Sequence, residues 1–319
     1  MQSIWIRVIF AYKMLMKIRS LSLQKSFWGK MDYLYLSLYY VLKFFVWILP
    51  DFLLQIFIKF IAKSVYVFNA KHRKIIRANL DLCFPEKSEQ EKEAITLEIY
   101  QNFAFFAIDA LKNQNTSKEK VLQKVVCDEE VVNAYVDFTR PIVFTTAHFG
   151  NWELLPLFFA AQFKPMSVVG RALDSKAMDK ILQKNRHQFD IEIIDKKGGL
   201  RKMLACLKQK RPLGILTDQD ASDSESLVLD FFGKKVNWVV GASVVAKKTG
   251  ALLIPTFIFK NEDKNFEIKV FKPMDSKTAS IEELTCYQAK CCEEMIKLKP
   301  EQYFFFHKRF KRFYNEIYL

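Results

Sequence analysis

Two apolar stretches near the amino terminus differ in periodicity. Residues 33–49, YLYLSLYYVLKFFVWIL, form a run of seventeen interrupted only by Ser37 and Lys43. As a helix rising about 1.5 Å per residue it reaches about 25 Å, marginal for a bilayer core, and it either spans the bilayer as a single transmembrane helix or lies within one leaflet. Pro50 and Asp51 break the run. Residues 52–68, FLLQIFIKFIAKSVYVF, set Gln55, Lys59 and Lys63 four apart on one face, with Phe, Leu, Ile and Val elsewhere. That is the pattern of a helix lying in the membrane interface; two core helices of a soluble bundle would look similar. No small-residue cleavage site follows the apolar run, so a signal peptide is not expected.

Between Lys71 and Leu111 the pattern is helical in two pieces, split at Cys83-Phe84-Pro85, and Ser88 followed by Glu91 has the form of a capping box opening the second. From Val125 onward short apolar runs alternate with longer helical patterns. Strands are expected at Pro141–Thr146, Met166–Gly170, Ile191–Ile194, Leu213–Thr217 and Leu252–Phe259, and helices near 151–162, 175–189, 198–210, 239–249 and 280–298. Such alternation predicts an α/β fold with a mostly parallel sheet flanked by helices. The expected division is residues 1–70 as membrane-associated helices and 71–319 as the α/β domain.

Charge sharpens the first part of this picture. Residues 1–77 carry 13 Lys and Arg against only Asp32 and Asp51, whereas the rest of the chain has 36 basic and 33 acidic groups. A basic, apolar segment joined to a near-neutral body favours an anionic membrane surface, where each Lys or Arg gains roughly 1 kcal/mol. Nucleic acid is disfavoured, because the basic residues sit among Leu, Ile, Phe and Tyr. The chain holds 30 Phe, more than a soluble core needs and suited to contact with lipid or an acyl chain. Its six Cys show no metal-binding spacing, and reduced thiols at a cytoplasmic site are expected.

In an open α/β sheet ligands bind where strands end and helices begin. Thr146-Ala147-His148-Phe149-Gly150-Asn151-Trp152-Glu153 is such a place: His148 stands at a strand's carboxyl edge and Glu153 in the first turn of the next helix. A carboxylate bonded to one imidazole nitrogen leaves the other free to take a proton from a hydroxyl. A histidine that only caps the helix is the plainer reading. No Ser or Cys flanks His148, no GxSxG elbow occurs, and phosphate-binding or dinucleotide loops are absent from the sequence. A base without a protein nucleophile points to direct attack by a substrate hydroxyl on an activated acyl donor.

His148–Glu153 resembles the HxxxxE signature of the lysophospholipid acyltransferase superfamily, whose glycerolipid-acyltransferase-like fold it implies. Further blocks resemble its lipid A late acyltransferase branch, the lauroyl/myristoyl acyltransferases: Arg171, the segment Gly214–Asp220 (GILTDQD), Phe231-Phe232-Gly233, Gly241–Pro255 and the closing Pro300–Lys311 (PEQYFFFHKRFK). Two departures stand out. Phe304–Phe306 replace a usual Trp before the closing His, and the run 236–240 lacks the usual Thr; both fall where chain-binding surface is expected.

The resemblance implies an enzyme of the bacterial inner membrane with its catalytic domain on the cytoplasmic side. The implied donor is an acyl-carrier-protein thioester, and the implied acceptor a 3-hydroxyl on an acyl chain of a Kdo-bearing lipid A precursor, with no cofactor. In that reading His148 is the general base and Glu153 orients it. Arg171 holds a phosphate or stabilises the oxyanion, and Asp218 and Asp220 organise the site or the acceptor's polar head without a metal. His307 and Arg309 are weaker substrate contacts or part of a salt-bridged carboxyl-terminal segment, and Arg186 is a second anion contact or a solvated helix residue. Another acceptor lipid, or a non-catalytic adaptor that binds anionic lipid, are the competing readings.

Overall fold

The computed structural model describes residues 30–263 and 265–319. Of the thirteen basic residues in the amino-terminal region, Arg7, Lys13, Lys17, Arg19 and Lys25 lie outside the described residues. Helix α1 spans Lys30–Ile48 and α2 spans Asp51–Phe68, with Pro50 between them because proline opens a helix but cannot continue one. Leu54, Ile58 and Ala62, spaced four apart, are the buried face of α2. They sit beside a cluster with Tyr39 and Val46 of α1 and Ile108 and Leu111 of α4 (Glu89–Lys112, described below), at about 1.5–3 kcal/mol for each large aliphatic side chain buried. Opposite them Phe52, Ile56 and Phe60 are 61–67% exposed.

No helix of the described residues is long and apolar enough to cross a membrane, α1 with the run from residue 33 included. Its four tyrosines and Lys43 lower its hydropathy, and the helix uses one face on protein: Lys43 Nζ and the Tyr39 hydroxyl both donate to Gln114 Oε1, at 2.8 and 2.6 Å. Residues 30–68 thus form a hairpin docked on the domain.

Helix α3 (Ala70–Cys83) is followed by α4 (Glu89–Lys112), which opens with the expected capping box: Ser88 Oγ accepts from the Glu91 amide and the Glu91 carboxylate accepts from the Ser88 amide. Then come α5 (Lys118–Leu122), β1 (Val125–Cys127), α6 (Glu129–Tyr135), β2 (Ile142–Thr146), α7 (Leu154–Gln162), β3 (Ser167–Gly170), α8 (Lys176–Arg186), β4 (Glu192–Asp195), α9 (Leu200–Lys208) and β5 (Leu213–Leu216). The chain continues through β6 (Ser226–Phe231), β7 (Lys234–Val239), α10 (Gly241–Thr249), β8 (Leu252–Lys260), β9 (Phe266–Val270), β10 (Met274–Asp275) and α11 (Ile281–Leu298).

The main sheet has the order β1-β9-β8-β2-β5-β3-β4, parallel throughout except where β8 meets β9 and β10. β2 and β8 are apolar on both faces because helices cover each side, the usual condition of parallel strands. Pro255 is tolerated in β8 because the strand changes partner there: residues 252–255 pair with β2 and 256–260 with β9. The five expected strands are present within one or two residues. β1, β9, β10 and the hairpin β6–β7 were not expected. The hairpin turns at Phe232-Gly233, both with positive φ (54° and 66°), the two-residue geometry that matches strand twist.

Candidate active site

Parallel pairing of β2 with β5 sets the centre of the site. Thr146 lies opposite Leu216, and the Thr217 amide continues the ladder to the Thr146 carbonyl at 3.0 Å. Two residues further on, the same register brings His148 and Asp218 together. His148 Nδ1 donates to Asp218 Oδ1 at 2.9 Å, which leaves Nε2 on the groove side, 3.5 Å from the amide nitrogen of Gln219. Asp218 is fully buried. Burial pushes its carboxyl up, but the charge and hydrogen bond of His148 outweigh this and hold it at about 2. For His148, burial works downward, whereas Asp218 and Glu153 raise its pKa and Arg186 opposes them; the net direction is up from 6.5. An imidazole paired this way is fixed in one tautomer and ready to accept a proton at Nε2.

The expected bond from Glu153 to His148 is not formed. Glu153 lies one residue before α7 and turns toward α8, where Arg186 grips it through both edges; Arg186 Nε donates to one carboxylate oxygen at 2.8 Å and its amino group to the other. Five residues of separation place Glu153 near the ring without aiming it there, and a guanidinium fork is the better partner for a carboxylate. Arg186 is accordingly not a solvated helix residue: its side chain is 17% exposed and walls the groove.

The groove has a volume of about 620 Å³ and reaches His148. Its lining includes the cations Arg171, Arg186 and Lys196, the acids Asp220 and Glu225, and the apolar Leu200, Met203 and Val245. Arg171 is 77% exposed at the rim and pairs with Asp174, so it is free to turn to an anionic ligand. Asp220 meets the groove but is held by Lys311 and Arg312 of the carboxyl-terminal segment. An apolar slot that shares Val169, Ile215 and Arg186 with the groove runs under α7, lined by Phe144, Leu155 and Phe159 among others.

His307 and Arg309 do not reach the groove, which corrects their assignment as substrate contacts. Arg309 is buried between Trp238 and Phe231, and burial pushes His307 down to about 4. Their segment instead shapes the turn that carries His148. The Phe304 amide donates to the His148 carbonyl and the Gly150 amide to the Gln302 carbonyl, both at 2.9 Å, and Phe149 bridges Tyr303 in antiparallel fashion. Gly150 has φ 56°, and a Cβ there would stand 1.9 Å from the Ile258 carbonyl oxygen, so only glycine fits. Asn151 anchors the turn's far end to the buried Asp109 of α4 at 2.8 Å. Asp109 and Gln219 were not picked out from the sequence; Gln219 was discoverable from its place between the two acids of the TDQD segment.

The family model described as bacterial lipid A biosynthesis acyltransferase matches residues 24–312. The lipid A biosynthesis lauroyltransferase of Escherichia coli K12 is 25% identical over 256 residues, covering 79% of this chain and 83% of that protein. The palmitoleoyltransferase of the same organism is 23% identical, covering 76% and 80%. A phosphatidylinositol mannoside acyltransferase of Mycolicibacterium smegmatis is 23% identical over 164 residues, half of this chain and 53% of its own length. Among solved structures, the 1-acyl-sn-glycerophosphate acyltransferase of Thermotoga maritima superposes with a TM-score of 0.38 at 15% identity, covering 77% of this chain and 95% of that one. With the family model spanning nearly its whole length, the chain is an acyltransferase and belongs to the bacterial lipid A biosynthesis acyltransferase family.

Proposed function

We propose that this enzyme moves an acyl chain from an acyl-carrier-protein thioester to a 3-hydroxyl on an acyl chain of a Kdo-bearing lipid A precursor, with His148 as general base. The observation that carries this reading is the His148–Asp218 pair, whose free Nε2 opens on a groove with a cationic rim. The acceptor hydroxyl gives its proton to Nε2 as its oxygen attacks the thioester carbonyl. Asp218 balances the imidazolium, the tetrahedral oxyanion collapses, and the departing thiolate recovers the proton from His148. In this reading Gln219, whose side-chain amide nitrogen lies 3.5 Å from Nε2, donates to the oxyanion, and Arg171 and Lys196 of the groove lining hold phosphate or Kdo carboxylate. No acyl-enzyme is needed: among the described residues that line the groove Ser224 carries the one hydroxyl or thiol, and its Oγ bonds Ser222 rather than His148.

The exposed apolar face of α1 and α2, with Trp47 and Tyr35 among its residues, supports membrane attachment by partial insertion, and the basic amino-terminal region supports an anionic leaflet such as the cytoplasmic face of the inner membrane. His148→Ala tests the chemistry: acyl transfer from carrier protein to the precursor should fall on the order of a hundredfold or more. Mass spectrometry of lipid A from cells with and without the gene tests the acceptor. Loss of one acyl chain supports the proposal, and an unchanged lipid A overturns it. The match to the mannoside acyltransferase favours one second reading, a different glycolipid acceptor, which the same extracts would reveal.

A further inference from the structure

The loop that carries His148 is held by polar contacts that the proposed proton transfer does not use. Main-chain bonds to residues 302 and 304 fix its first half, up to Gly150. Beyond Gly150 the hold passes to side chains, because α7 begins only at Leu154. Asn151 is 2% exposed and donates its amide to Asp109 Oδ2 at 2.8 Å. Asn113, at the end of α4, donates to the same oxygen at 2.7 Å. Lys124 donates to Asp109 Oδ1 at 2.8 Å and to Asn113 Oδ1 at 2.7 Å, and its carbonyl accepts from the Phe266 amide of β9 at 2.9 Å. From Asn113 the contacts run on to α8. Gln188, just past that helix, donates to the Asn113 carbonyl at 3.0 Å and to the Asn185 carbonyl at 2.8 Å. Next to Asn185 in the chain is Arg186, whose guanidinium holds Glu153. Asn151 and Glu153, two positions apart, are thus gripped by α4 and α8. Gln188 ties the ends of those helices together, which closes a ring of contacts through the loop.

We infer that Asp109, paired with Lys124, is a positioning residue for acyl transfer: it fixes residues 148–153 so that His148 Nε2 stays where the groove delivers a hydroxyl. The inference rests on His148 acting as the base. Asp109, Asn113 and Lys124 do not line the groove, so they act only through the loop. The residue type matters. Three donors converge on Asp109, and a carboxylate has two oxygens and no donor of its own, so it accepts from all three. An asparagine in its place would offer one oxygen and turn its own amide hydrogens toward those of its neighbours. A carboxylate so enclosed needs a cation, and Lys124 is that cation. A charged acceptor also binds the Asn151 amide more firmly than a neutral one would. Such a hold is required because the loop turns on Gly150, at φ 56°, and glycine by itself leaves the backbone free. A reacting group displaced by about 1 Å loses on the order of a hundredfold in rate.

The test is steady-state transfer by the full chain in detergent, with the lauroyl thioester of acyl-carrier protein as donor and a Kdo-bearing lipid A precursor as acceptor. Asp109→Asn and Asn151→Asp should each lower kcat about ten- to a hundredfold, with KM changed less than about twofold. The exchange variant Asp109→Asn/Asn151→Asp restores an amide facing a carboxylate with the sense reversed, and its kcat should exceed that of either single variant. Single variants with unchanged kcat, or an exchange variant slower than both, overturn the inference. His148→Ala in the same assay keeps the two readings apart. An undiminished rate there refutes the base, whereas a lost rate with no rescue between 109 and 151 refutes only the positioning. Should the variants fail to fold, or the unmodified chain not transfer from this donor, the unmodified protein still decides by NMR. The side-chain amide protons of Asn151, assigned through the backbone, should exchange with solvent at least about a hundredfold more slowly than those of a free amide. Exchange at the free rate overturns the inference.

Discussion

A histidine that stays neutral in the folded state leaves its mark on stability. His307 is held at about 4 chiefly by burial, whereas in the unfolded chain it takes a proton near 6.5. Its contribution is therefore complete above 6.5 and is lost as pH falls toward 4, on the order of 2 kcal/mol between pH 7 and 5. His148 works in the opposite sense, because its raised pKa stabilises the fold below 6.5 and that gain disappears as pH rises through the folded value. Denaturant unfolding in a His148→Asn background should show the loss between pH 7 and 5, and His307→Asn should flatten it. These roles were only half legible in the sequence. The histidine and the acids of the site could be named from their motifs, but the partner of His148 came from strand register across seventy residues, whereas the nearby Glu153 satisfied a local spacing rule and nothing more. His307 and Arg309 read as motif residues, and nothing in a linear string reveals that they face inward.

At the scale of elements, α8 joins the site to the amino-terminal hairpin. Ser175, which caps α8, bonds Asp32 of α1, and Met178 and Ile181 pack against the hairpin while Arg186 at the other end holds Glu153. Glu153 and Arg186 act on His148 with opposite signs. Glu153→Gln should move the acid limb of the kcat/KM profile to lower pH and Arg186→Gln should move it to higher pH; shifts in the same direction would show that only packing had changed. The long apolar runs of β2, β5 and β8 made the parallel sheet predictable, because strands buried on both faces need no alternation to stand out. β1 is three residues long, and β9 alternates Phe, Ile and Val with Glu and Lys, so neither forms a continuous apolar run. The β6–β7 hairpin carried its signal in Phe232-Gly233, but a phenylalanine at positive φ disguised it as an apolar block.

For the whole molecule, the hairpin's exposed apolar surface is what supports the proposed membrane attachment. Phe52, Ile56 and Phe60 support no protein core, so replacing all three with Asp should leave the melting temperature nearly unchanged. Binding to vesicles of mixed neutral and anionic lipid should weaken a hundredfold or more, given about 1.5–3 kcal/mol for each side chain withdrawn from an apolar phase. Equal vesicle binding by the triple variant would remove the attachment model. The helices of the expected membrane-associated segment, α1 and α2, share a core cluster with α4 of the expected α/β domain.

The main-chain bonds between the His148 turn and residues 302–304 join points more than 150 positions apart. Closing so long a loop is slow and follows the formation of more local contacts. The sheet can thus be assembled while the turn that carries His148 is still unset, and during refolding transferase activity should return later than far-ultraviolet circular dichroism. A chain interrupted before Pro300 would keep much of its secondary structure yet never complete the turn, so transferase activity should depend on residues 302–304 even though none of them lines the groove.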